Sequence, residues 1–145
     1  MTTGADDRPA ELFQLDRSTC LALLGTHHVG RIVLAGSTPA VVPVNYRLVD
    51  GRITFRTTPT GRAGQPSAAA VLFEVDMFDE RTHSGWSVVA RGPLLVATHG
   101  ADAVAVESWA PGQRDRWMVV PVHEVTGRVL RGAVDAPGRE PGGYL

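Results

Sequence analysis

The sequence of 145 residues contains no lysine; all 14 basic residues are arginine, set against 15 acidic residues for a formal net charge of -1. Without lysine no Schiff base can form, which excludes a pyridoxal-phosphate enzyme of the usual kind. Phosphate recognition is left to arginine, hydroxyls and backbone N–H groups. The near balance of charge provides no basic surplus or stripe, so no nucleic-acid partner is expected. Cys20 is the only cysteine, which rules out an intramolecular disulfide and a Cys-rich zinc site. No run approaches the roughly 18 apolar residues of a membrane span, and Met1 to Ala10 lacks a signal peptide's apolar core. The sequence therefore predicts a soluble cytoplasmic protein that does not engage a membrane. A Gly-x-Ser-x-Gly elbow is also missing, which argues against a hydrolase of that type.

Five histidines are present, but their spacing does not favour metal. No His-x-x-x-His pair exists, and the adjacent His27 and His28 point to opposite faces if extended. No metal site is expected.

What is present reads as one mainly β domain over residues 11–134, with a flexible N-terminus (1–10) and a loose Pro/Gly-rich tail (135–145). Asp16 or Ser18 can cap a short helix that buries Cys20, Leu21, Leu23 and Leu24 on one face and ends at Gly25. From Val29 the texture is that of strands closed by turn signals. Asp50-Gly51 predicts a tight hairpin with Arg52–Thr57 as the returning strand, so the first three strands form a meander. Ser67–Ala70 reads as a helical turn or a loop. Val71–Phe78 and Ser87–Thr98 read as long buried strands, Ala101–Trp109 as a helix, and Arg116–Val122 with Val125–Leu130 as a final extended pair. Six or seven strands with two short helices suggest a closed or nearly closed antiparallel β-barrel. Two carboxylates, Glu74 and Asp76, share a strand face, with Arg31, Arg47 or Arg128 as candidate partners.

Two runs carry the functional signal. Phe55 to Arg62 ends a strand in hydroxyls, glycine and arginine, the composition of a phosphate site or of a solvated turn. Ser84 to Gly92 places Trp86 beside Ser87 in a β-branched strand, a ring-binding wall or ordinary core packing.

Together with Val29-Gly30-Arg31-Ile32, Pro43-Val44-Asn45-Tyr46, Asp50-Gly51, Phe73-Glu74-Val75-Asp76, Gly85-Trp86-Ser87-Val88 and Thr126-Gly127-Arg128, these runs resemble the pyridoxamine 5'-phosphate oxidase-like, FMN-binding split-barrel family, in particular its small actinobacterial-type members. The resemblance extends from about Leu15 to Leu130. It implies a six-stranded antiparallel split β-barrel that forms a homodimer, with flavin in the grooves between subunits. Backbone at Pro43, Val44 and Asn45 would follow the isoalloxazine edge, Arg56, Thr57 and Thr58 would approach the ribityl phosphate, and Arg62 would supply its positive charge. Trp86, Ser87 and Val88 would line the same groove from the second subunit. The implied activity is that of a flavin-dependent oxidoreductase acting on a small-molecule substrate, with FMN as cofactor.

Two alternatives accompany this reading. The deazaflavin coenzyme F420 would serve obligate hydride transfer in the same fold. A non-catalytic barrel that has lost its cofactor is motivated by Gly64 and Pro66, which depart from the helical continuation expected after Arg62. Oxidation of vitamin B6 itself is not expected, because Arg128 to Leu145 lacks an Arg-x-His pair to hold a substrate phosphate.

Overall fold

The fold is set by eight antiparallel strands, six of which close on themselves. It is described by a computed structural model over residues 9–97, 106–112 and 114–132. In chain order the elements are β1 (Glu11–Leu15), α1 (Arg17–Thr26), β2 (Val29–Leu34), β3 (Ala40–Val49), β4 (Arg52–Thr57), a 3-10 turn (Arg62–Gly64), β5 (Ser67–Asp79), β6 (Ser84–Val96), β7 (Arg116–Pro121) and β8 (Glu124–Arg131). Neighbours run β6-β5-β2-β3-β4-β7, and a further pairing of β7 with the end of β6 closes the ring. β8 pairs with the first half of β6 and carries β1 on its far side, extending one wall beyond the barrel.

The expected meander is present. Asp50 and Gly51 both take positive φ, 49° and 72°, the geometry of a two-residue hairpin whose twist matches its strands. β6 changes partner along its length: Gly85 to Arg91 pair with β8, then Leu95 and Val96 pair with β7. At the corner a Cβ on Gly92 would collide with the Pro121 carbonyl oxygen, so the crossing requires glycine.

Alternation sorts the side chains. Ile53, Phe55, Phe73, Val75, Trp86, Val88, Met118 and Val120 point inward and are almost completely buried. Asp16 is the N-cap of α1, its carboxylate accepting from the Thr19 N–H at 2.8 Å. The helix buries Cys20, Leu23 and Leu24 and packs against β8, β3 and β6. The Tyr46 hydroxyl fixes its C-terminal end by donating to the Leu24 carbonyl at 2.6 Å. Cys20 packs as a small apolar group, and burial pushes its thiol pKa upward.

The structure departs from the sequence reading in three places. Glu11–Leu15 is a strand, held by pairing with β8 although four of its five residues are exposed. Ser67–Ala70 begins β5, with a register irregularity between Ser67 and Ala70 in place of a helical turn. The helix expected over Ala101–Trp109 falls mostly outside the described residues, and its described part, Val106 to Trp109, is not helical.

Candidate functional site: the gap between two barrel strands

The barrel is open between β3 and β4. β3 pairs with β2 from Ala40 to Asn45, but with β4 only from Tyr46 to Val49. Beyond Phe55, β4 continues with β7 alone, Arg56 opposite Trp117 and Thr57 opposite Arg116. Among the described residues the first half of β3 therefore has a free edge. Tyr46 donates its N–H to the His28 carbonyl on the β2 side. In an antiparallel ladder the hydrogen-bonding direction alternates, so Val41, Pro43 and Asn45 present their backbone groups to the gap. Pro43 is tolerated inside this strand because its missing N–H lies on the unpaired edge.

The residues singled out in Phe55 to Arg62 border this gap. Arg56 faces outward. Its Nε–H donates to the Arg114 carbonyl at 3.2 Å, and its guanidinium lies 5.3 Å from the centre of the Trp117 ring. Thr57 is buried and Thr58 half-buried at the start of the turn. That turn is tightly laced: Gly61 N–H bonds the Thr58 carbonyl at 3.1 Å, Gly64 N–H the Gly61 carbonyl at 3.0 Å, and the Gln65 side-chain amide the Pro59 carbonyl at 2.8 Å. Arg116 donates to the Gly64 carbonyl at 3.0 Å. Arg62 is exposed and donates to the Thr38 carbonyl in the loop between β2 and β3. Gly64 has a steric role, since a Cβ there would collide with the Thr58 carbonyl. The segment is a single three-residue 3-10 turn, too short to present a helix N-terminus, which leaves arginine side chains as the source of positive charge.

Asn45 borders the gap on the β3 side, and its Oδ1 accepts the Trp109 N–H at 3.0 Å. Val44 beside it is buried, and Pro43 is exposed.

Gly85 to Val88 lies elsewhere on the barrel. Trp86 is 1% exposed and stacks edge-on against His27, ring centres 4.8 Å apart. Val88 is equally interior. Ser87 points the other way, into a shallow cavity of about 270 Å³ on the outer face of the extended wall, where Leu12, Phe78, Arg128 and Leu130 surround it. Ser87 pairs with Asp76 of β5; carrying the Arg31–Glu74 register two residues further sets Asp76 level with Val29, which pairs with Asn45. Three strand spacings of about 4.8 Å put Ser87 roughly 14 Å from Asn45 within one chain. One chain therefore does not bring the two runs together.

Between them lies an ion cluster. Arg31 Nη1 is 2.7 Å from Glu74 and 3.7 Å from Asp76, which identifies the partner of the paired carboxylates. Burial, reinforced by Asp76, pushes the Glu74 carboxyl above its usual range against the pull of Arg31.

Sequence reasoning missed Arg116, which the β4–β7 pairing places opposite Thr57, and Arg114, whose carbonyl accepts from Arg56. Their signal was two arginines flanking Asp115 immediately before a strand. The pairing partner lies about sixty residues away, so the local pattern carried no hint of it.

A model of the pyridoxamine 5'-phosphate oxidase family matches residues 16–129. The chain belongs to that family. Among similar solved structures are an FAD-binding protein from Mycobacterium smegmatis, 27% identical at TM-score 0.67 with 83% of this chain and 100% of that chain covered, and a conserved protein of unknown function from Corynebacterium diphtheriae, 34% identical at TM-score 0.66 with 81% and 96% covered. The uncharacterized protein Rv0080 of Mycobacterium tuberculosis is 37% identical over 89 residues, 57% of this chain. The match spans 59% of that relative's length. The six-stranded barrel is the split barrel of this family.

Proposed function

We propose that this protein is a homodimeric flavin-binding oxidoreductase whose cofactor lies with its FMN portion along the open edge of β3. The observation that carries the reading is the Ala40–Asn45 edge, unpaired among the described residues, beside a rim that holds Arg56, Arg62, Arg114 and Arg116. Among the described residues none of Arg56, Arg62, Arg114 and Arg116 forms a salt bridge. One of their donors, Arg114 Nε, is buried and has no hydrogen-bond partner among the described residues. A ring with carbonyl and N–H groups along one side fits the backbone N–H and carbonyl groups of Val41 and Asn45 and the carbonyl of Pro43. A phosphate fits the rim, where Arg56 and Arg62 supply charge and Thr57 and Thr58 lie at the strand end. The FAD-binding relative supports a flavin.

When bound, the flavin supplies hydride or electron transfer. The chain's own residues position the ring, keep water from its edge and neutralise the phosphate. The roughly 14 Å between Ser87 and Asn45 implies that Ser87, with the backbone of Trp86 and Val88, completes the ring site from a second copy, and a small-molecule substrate stacks on the remaining ring face. The lone buried Cys20 suits a reducing cytoplasm. The arginines of the rim also suit the acidic tail of F420, which makes the deazaflavin coenzyme the second reading.

Titration of the purified protein with FMN tests the proposal. Binding tighter than about 10 μM, roughly −7 kcal/mol, is expected, and Arg62→Ala should weaken it by about 1.5 to 3 kcal/mol as a charged contact is lost. A protein that binds neither FMN, FAD nor F420 is the non-catalytic barrel.

A further inference from the structure

Two identical chains that meet through one face are related by a two-fold axis lying in that face, so a residue i that meets j is matched by j meeting i. Ser87, Asp76, Val29 and Asn45 make one row across β6, β5, β2 and β3. An axis that exchanges Ser87 with the partner's Asn45 crosses this row at its midpoint and runs along the strands, between β5 and β2. Two residues further along it passes between Arg31 and Glu74, which are direct cross-strand partners. Val29, 41% exposed, lies beside the same line.

The charges gathered there do not balance. Arg31 Nη1 is 2.7 Å from Glu74 and 3.7 Å from Asp76, and Asp76 is within hydrogen-bonding reach of Glu74. Two carboxylates hydrogen-bond to each other only when one of them holds a proton. About the axis each Glu74 would also meet the partner's Arg31, so two guanidinium groups would face four carboxylates. Association removes this group from water with two negative charges in excess, which is costly. One proton on each Glu74–Asp76 pair cancels the excess. Within a single chain burial already pushes the Glu74 carboxyl above its ordinary range.

The other charged groups of this face stand off from the pair. Arg91 of β6 lies in the next row, opposite Leu72, while Arg128 and Glu124 lie on β8, two strands from β5. The same axis carries the partner's Arg91 over β3 and the partner's Arg128 and Glu124 over the gap. β3 adds only the uncharged Val41, Pro43 and Asn45.

We infer that the Glu74–Asp76 pair is a proton-operated latch on the dimer: each chain takes up one proton on association, so the two-copy site tightens in mild acid and loosens toward alkaline pH. This rests on the dimeric reading above. The associated state has the higher carboxyl pKa, so its advantage is complete below the free chain's value. It is lost as pH rises through the dimer's value.

The test measures the dimer dissociation constant of the full chain by sedimentation over a dilution series at about pH 5.5 and about pH 8. Wild-type protein is expected to dissociate at least about tenfold more readily at the higher pH, the effect of one unit of pKa shift. Glu74→Gln keeps the side chain's shape without its charge. It is expected to hold the tight constant at both pH values, within about twofold, which also shows that it is folded and that histidines do not set the dependence. Asp76→Asn, which removes the other half of the pair, is expected to flatten the slope in the same way. A wild-type constant that ignores pH, or variants that keep the wild-type slope, overturns the latch and leaves the dimer standing. Wild-type protein that is monomeric throughout overturns both.

Discussion

Tyr46 shows how a single buried polar atom joins strand to helix. Its ring packs edge-on against Phe73 at 4.8 Å and its hydroxyl reaches the Leu24 carbonyl. Burial raises its pKa well above the ordinary tyrosine value of 10.0. Because the folded form keeps its proton where the unfolded chain has lost it, the stability linked to this group is intact below about pH 10. It falls as pH rises from there toward the folded value. Tyr46→Phe should therefore cost about 1 to 2 kcal/mol at neutral pH, the price of an orphaned carbonyl and a lost hydrogen bond. It should also flatten the alkaline limb of a stability–pH curve followed by urea denaturation. A variant whose alkaline limb matches the wild type would refute the linkage. The sequence marked Tyr46 only as a strand residue near a candidate site. Its helix partner is 22 residues away, and no local pattern encodes that contact.

At the scale of elements, β6 is the hinge of the architecture, because one strand serves both the extended wall and the closed barrel. Gly92→Ala places a methyl against the Pro121 carbonyl at the switch and should destabilise by about 2 to 3 kcal/mol, read as a fall in denaturation midpoint. A neutral result would mean that the crossing has slack. At the other end of the chain, removal of the Asp16 cap should lower the melting temperature. Its carboxyl pKa is depressed by the Thr19 N–H, so the contribution is present above the ordinary Asp range and fades as acid protonates it. The α1 cap, the Asp50-Gly51 hairpin and the two long buried strands were legible because each depends on short-range chemistry: an acceptor before a helix, positive φ in a turn, branched apolar runs. β1 was not legible, since a mostly exposed five-residue strand draws its stability from β8 at the far end of the chain. The gap at β3 was also hidden, because a strand with one neighbour reads like a strand with two.

For the whole molecule, the outer sheet face exposes Leu12 on β1, Phe78 on β5 and Val41 on β3 at 59%, 52% and 60%, with the Arg31–Glu74–Asp76 cluster on β2 and β5. Apolar side chains gathered on one sheet face mark an association surface more often than a solvated one. In the dimer proposed above, sedimentation should give twice the 15.5 kDa chain mass. Phe78→Asp should shift the protein toward monomer and, because Ser87 lies beside it, weaken flavin binding in parallel. Wild-type protein that sediments as a monomer at tens of micromolar would overturn the two-copy site. By itself the sequence determined the β-rich class, the helix cap, the hairpin and the residue types able to meet a phosphate, since those follow from periodicity, turn chemistry and the absence of lysine. Only the tertiary structure decided that Trp86 turns inward while Ser87 turns outward, that β3 parts from β4 to leave a free edge, and that Arg114 and Arg116 join the rim. Each of these depends on which strands pair across long stretches of chain, and pairing register is fixed by packing the closed barrel as a unit.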